Sequence, residues 1–134
     1  MLDIILIQDA KSGVKLLDYR QESTPFKSEH SDIFTGFLSA MQNISKELNI
    51  GTVVLISTIG ERGHNCILVP YNLIYVILLV DKDDSVDFWK KQGNKVASKF
   101  IEIYGNNFSP YEVGRFKTFI PILKEICYNC DFHD

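Results

Sequence analysis

The chain has 134 residues, 46% of them hydrophobic and 23% charged, and a formal net charge of -3. That length suits one domain with its own core, and the apolar content excludes a disordered or low-complexity polypeptide. With 14 basic residues against 17 acidic ones, the balance has the wrong sign for a phosphate-backbone binder, so no nucleic acid partner is expected.

Asp3 to Gln8 is a short apolar run that predicts a strand, and Val14 to Tyr19 predicts its partner. Ala10-Lys11-Ser12-Gly13 between them is turn chemistry, with Gly13 supplying the positive φ. Gln21 to Glu29, polar and broken by Pro25, predicts a loop. Phe34, Phe37, Leu38, Met41, Ile44 and Leu48 then recur on one stripe at the 3.6-residue period, which predicts a helix capped by Ser31 or Asp32. Gly36 and Ala40, four apart, give that helix a smooth strip open to close approach by another backbone.

Three strands in a meander are expected next. Thr52 to Ile59 is rich in β-branched residues, and Gly60-Glu61-Arg62-Gly63 turns the chain. Cys66 to Val69 is the middle strand, followed by a turn at Pro70-Tyr71-Asn72. Leu73 to Val80 is apolar at every position, so it belongs in the centre of the sheet, covered on both faces. Two helices close the chain. Asp83-Asp84 starts the first, whose packed face carries Val86, Trp89, Gly93, Val96, Ala97, Phe100 and Tyr104. A glycine in mid-helix costs about 1 kcal/mol against alanine, so Gly93 predicts a close packing contact. Ser109-Pro110-Tyr111-Glu112 reads as a capping box opening the second helix. Its stripe runs through Val113, Phe116, Ile120, Leu123 and Cys127, with a kink at Pro121.

The order β-β-α-β-β-β-α-α, with short turns between neighbouring strands, makes an antiparallel sheet and an α+β class with helices on both faces. Mean hydropathy near zero and sixteen aromatics, nine Phe, six Tyr and one Trp, leave an apolar surplus for a sheet covered twice, a partner surface, or both.

Element order, the Lys11-Ser12-Gly13 hairpin and the helix start Asp32-Ile33-Phe34-Thr35-Gly36-Phe37-Leu38-Ser39-Ala40 together resemble a longin domain. This is the profilin-like module of some SNAREs, adaptor subunits, tethering complexes and the signal-recognition-particle receptor. The likeness covers Met1 to about Cys130, in the form of the small stand-alone archaeal longin-like proteins. The related roadblock fold opens with a helix; this chain opens with a strand. The resemblance implies a five-stranded sheet ordered 2-1-5-4-3, with one helix on one face and two on the other, and makes Thr52 to Ile59 an edge strand. Such domains commonly dimerise through that edge and the adjacent helix, and the paired platform engages small GTPases in several complexes. Carried over, the partner-binding residues are Thr52, Val54, Ile56 and Thr58 on the strand, with Ser39, Gln42, Asn43 and Lys46 on the helix. The competing reading of the strand residues is core under a loop, and register decides between them. SNARE longins continue into a coiled coil and an anchor; this chain stops after its last helix, so SNARE activity is not expected of it.

Other chemistry is thin. Cys127-x-x-Cys130-x-x-His133 has the look of half a zinc site or a redox pair, with only His64 and Cys66 to complete it. The pair closes a helix, where the dipole opposes thiolate formation, so incidental cysteines are expected and no metal or cofactor is assigned. Lys91, Lys95 and Lys99 form a basic stripe suited to anionic lipid or an acidic partner, or simply a solvated face diluted by Asp87 and Glu102. Gly60-Glu61-Arg62-Gly63 lacks the length and lysine of a phosphate loop, and no His is paired with a Ser or Cys nucleophile, so no enzyme is expected. The longest apolar run is eight residues against about 20 for a bilayer span, no basic flank precedes the first apolar run, and three cysteines do not make a disulfide scaffold. One longin-like domain over 1–134, with 131–134 as a frayed tail, is therefore expected. Its reading is a cytoplasmic, non-catalytic adaptor of the vesicle-trafficking kind, peripheral at a membrane only through a partner. It would form a homodimer, or a heterodimer with a related domain, and bind a small GTPase. The alternatives are a small-molecule-sensing profilin- or PAS-like module and a metal or redox protein using Cys127 and Cys130.

Overall fold

The computed structural model describes residues 1–105, 109, 112 and 114–132, with side chains as far as residue 126. Chain order is β1 (Leu2–Asp9), β2 (Lys15–Arg20), α1 (Ser28–Glu47), β3 (Leu55–Ser57), β4 (His64–Tyr71), β5 (Ile74–Asp81), α2 (Val86–Tyr104) and α3 (Ile120–Phe132), the last entered through a 3-10 turn at Arg115–Phe119. The five strands form one antiparallel sheet ordered β2-β1-β5-β4-β3. The α+β architecture and strand order are those expected.

β5 lies in the centre because it has no polar face to give to water. Ile74, Val76, Leu78 and Val80 project to one side, where they meet Leu2, Ile5, Ile7, Ile67 and Val69 beneath α2 and α3. Ile77 and Leu79 project to the other side, joining Ile4, Leu6, Cys66 and Leu68 under Leu38 of α1. Trp89, Val96, Ala97 and Phe100 give α2 its buried face. Gly93 is the point of closest approach: a Cβ there would stand 2.8 Å from Val69 Cγ2 and 2.9 Å from Leu78 Cδ1. Gly13 takes the β1–β2 turn at φ 78°, as its turn requires.

Several boundaries differ from expectation, each for a physical reason. α1 begins three residues before Ser31, with the Lys27 N–H donating to His30 Nδ1 at 2.9 Å. Ser31 is buried inside the helix and Asp32 takes Lys15 Nζ at 2.7 Å, so neither is the cap. The β4–β5 turn is Asn72-Leu73, since Tyr71 pairs with Ile74 and Asn72 adopts φ 49°; Pro70 lies within β4. Ser85, not Asp83 or Asp84, caps α2, accepting from the Phe88 N–H at 3.2 Å. The last helix does not run from Ser109. Gly114 at φ 99° interrupts it, and the helical chain starts at Arg115. Pro121 falls in the first turn of α3, where proline is best tolerated, and not in mid-helix as expected. Pro110, Tyr111 and Val113 of the expected helix start lie outside the described residues, as do His133 and Asp134.

The expected eight-residue strand Thr52 to Ile59 contracts to the three residues Leu55–Ser57. Two side chains explain its upstream end. Gln42 of α1 holds both backbone groups of Val53, donating from Nε2 to the carbonyl at 2.9 Å and accepting its N–H on Oε1 at 3.0 Å. Opposite the preceding residues the ladder would reach Pro70, which has no N–H to offer; its last rung is Leu68 N–H to the Val54 carbonyl at 2.9 Å.

Candidate interaction surface

The apolar stripe of α1 does not all face the sheet. The buried line of the helix is Ser31, Thr35, Leu38 and Ser45, small polar residues around one leucine, which lets it lie close. Thr35 Oγ1 donates back to the Ser31 carbonyl, Ser45 donates to the Gly51 carbonyl, and Gln8 Nε2 donates to Ser39 Oγ at 3.0 Å. The Gln8–Ser39 bond ties α1 to β1 in a rotation that turns much of its apolar ridge outward. Phe34 and Met41 are half-buried, while Phe37, Ile44 and Leu48 are exposed, together with Ile33.

The exposure continues into the segment that Gln42 and Ser45 hold against the helix. Ile50, Val54, Leu55 and Ile59 are all exposed, Ile59 completely. Eight of the eleven exposed large apolar side chains among the described residues therefore belong to α1, its C-cap Leu48 or the segment 50–59. A monomeric surface seldom gathers them so. Beside them runs β3, at the edge of the sheet. Val54 and Thr58 direct backbone groups toward β4, through the Leu68 N–H to Val54 carbonyl bond and the Thr58 N–H to His64 carbonyl bond. The alternation leaves the backbone of Leu55 and Ser57 pointing out of the sheet, with no Lys or Pro on the strand to blunt it.

The eight residues expected to meet a partner divide into two sets. Thr52, Val54, Thr58, Asn43 and Lys46 are exposed. Ile56 packs inward against the α1-side core, Gln42 is occupied with Val53, and Ser39 with the β1–β2 hairpin. Ile33, Phe37, Ile44, Leu48, Ile50, Leu55 and Ile59 are exposed apolar residues that strand register and the assumption of a core-facing stripe concealed. The smooth strip at Gly36 and Ala40 was the available signal: both are exposed, and nothing lies within 4 Å of a Cβ built on Gly36.

A groove of about 350 Å³ opens between the first half of α1 and the sheet, lined by Ile4, Phe26, His30, Ile33, Phe34, Phe37 and Leu79. Cys66, on the same face, is buried, and burial pushes its thiol up to about 12. Cys127 and Cys130 lie on α3, with their side chains outside the described residues. The basic stripe Lys91, Lys95 and Lys99 is exposed on α2, Lys99 standing 3.6 Å from Glu102. Among the described residues no helix is long and apolar enough to cross a membrane.

No family model matches the sequence, and no curated protein does. Among solved structures, MglB of Myxococcus xanthus is similar, with a TM-score of 0.54 at 13% identity, covering 79% of this chain and 85% of that one. The fold is longin-like. The gliding protein MglB of Thermus thermophilus aligns at a TM-score of 0.45 and 20% identity over 73% of each chain. Gln42 and Ser45 tie α1 to Val53 and Gly51, in the segment that leads into the β3 edge.

Proposed function

We propose that this longin-like chain is a non-catalytic interaction module that pairs with a second copy through α1 and the β3 edge. The paired platform then engages a small GTPase. The observation that carries the pairing is the concentration of exposed apolar side chains on α1 and 50–59 beside an unblunted sheet edge. Burying such side chains returns about 25 cal/mol per Å². The outward backbone of Leu55 and Ser57 adds ladder bonds that a second β3 supplies. Thr52, Val54, Thr58, Asn43 and Lys46 would lie at or around that contact. The GTPase partner rests on the longin-like resemblance alone.

Light scattering tests pairing directly. A dimer at micromolar concentration is expected, converted to monomer by Phe37→Glu; a wild-type monomer at high micromolar concentration overturns the reading. Pull-down against small GTPases loaded with GDP or with a GTP analogue tests the second step, with nucleotide-dependent capture expected.

The groove under α1 supports a second reading, a site for a small apolar ligand. It carries one polar group, His30, so orientation of a ligand would rest on shape. Native mass spectrometry separates the two: a retained small molecule favours the sensor, a bare dimer the interaction module.

A further inference from the structure

We propose that Asp3, His64 and Asp81 form a binding site for one divalent metal ion of the zinc class, facing the cleft beside the β3–β4 turn. Three strands converge to build it. His64 and Asp81 are directly paired residues of β4 and β5, so their side chains leave the same face of the sheet. Asp3 reaches that face because β1 slips register against β5 between Leu2 and Ile4. This bulge re-aims an acidic side chain out of an apolar strand.

The ligand atoms stand as a metal would place them. His64 Nε2 is 2.9 Å from Asp3 Oδ2 and 3.7 Å from Asp81 Oδ1, and all three atoms lie within 4.8 Å of one another. Around a metal with bonds near 2.1 Å, neighbouring ligand atoms sit about 3 to 3.5 Å apart. The 3.7 Å separation is too long for a hydrogen bond and needs only a small closure to fit.

The outer contacts are in place as well. His64 Nδ1 stands 2.6 Å from the Arg62 carbonyl, which assigns the ring proton to Nδ1 and turns the Nε2 lone pair toward the two carboxylates. Asp3 Oδ1 is held by the Thr24 hydroxyl at 2.9 Å, leaving Oδ2 for the ion.

Asp3 is buried, His64 mostly so, and Asp81 half-exposed, so one side of the site opens to water in a cleft of about 440 Å³. Asp3, Glu61, Asp81, Asp83 and Asp84 line that cleft against Arg62 and Lys82. The Met1 amino group bonds Asp81 Oδ2 and Asp84. Five carboxylates against three cations leave a field that draws in a positive ion.

Zinc titration by calorimetry on tag-free protein carrying Cys127→Ser and Cys130→Ser tests the site, since the C-terminal cysteines are then removed as competitors. About one zinc per chain is expected. Affinity should fall at least about 10-fold in Asp81→Asn, whose half-exposed side chain leaves folding intact, and in His64→Gln. Bound Co²⁺ should give visible ligand-field bands without the near-ultraviolet charge transfer of thiolate ligands. Absence of saturable zinc binding in the chain lacking both C-terminal cysteines overturns the site and leaves only a His64–Asp3 contact. Binding unchanged by Asp81→Asn overturns it equally. Neither result bears on pairing through α1.

Discussion

Gly93 shows how a single missing methyl sets the distance between α2 and the sheet. Val69 and Leu78 already occupy the space a Cβ would take. Gly93→Ala gains about 1 kcal/mol of helix propensity, but overpacking of this kind costs about 1 to 3 kcal/mol. A net loss of up to about 2 kcal/mol is expected in urea denaturation, the opposite of a solvent-facing glycine. Cys66 makes a prediction about pH. Its ordinary thiol value is 9.0, and burial raises it to about 12. Between these values the unfolded chain has lost the thiol proton and the folded chain retains it, so rising pH favours unfolding. Stability should therefore decline above pH 9 by about 1.4 kcal/mol per pH unit relative to Cys66→Ala. The native thiol should also stay unreactive to alkylating reagent at about pH 8 and react once the chain is unfolded.

At the scale of elements, the connection between α1 and β3 is where side chains replace a ladder. Gln42 presents an amide to Val53 much as a neighbouring strand would, and the strand begins only beyond it. Gln42→Ala leaves both backbone groups of Val53 without partners. It should destabilise the chain by about 1 to 3 kcal/mol and speed amide exchange at Val53 well before global unfolding. Gln42→Glu keeps the acceptor for the Val53 N–H but removes the donor, and should fall between the two. β3 illustrates why local pattern misjudged this element. Thr52 to Ile59 has strand composition throughout, yet ladder length depends on what lies opposite, and Pro70 with Gln42 shortens it. The interruption at Gly114 was likewise hidden, since a positive φ at a glycine is permitted everywhere and required only by context.

For the whole molecule, the two faces of the sheet are covered unequally. α2, the 3-10 turn and α3 bury the larger core, with Trp89, Phe100, Phe116 and Phe119 fully enclosed, whereas α1 alone covers the other face and leaves its ridge exposed. Gly36 tests what that ridge does. With nothing within 4 Å of its Cβ, Gly36→Arg should leave the thermal midpoint of a monomer unchanged or raised, yet abolish pairing in sedimentation velocity. Unchanged pairing would remove α1 from the interface.

The element order, the α+β class, the central place of β5 and the close contact at Gly93 were legible in the sequence by itself. Each follows from short-range facts: the period of apolar residues, a strand with no polar face, turns too short for anything but antiparallel pairing. The candidate surface was legible in part. Asn43, Lys46, Thr52, Val54 and Thr58 are exposed, but which side of α1 meets the sheet was not readable from its stripe. The Gln8–Ser39 bond ties α1 to β1 in that rotation, and its two residues lie in different elements. The approach of Asp3 to His64, 61 residues apart, likewise required the bulge in β1 and the register of β4 on β5. Asp3 is buried in the structure, and a buried carboxylate is costly without a partner. Only the tertiary structure decided which partner it found, since sheet register brings together residues that no sequence period relates.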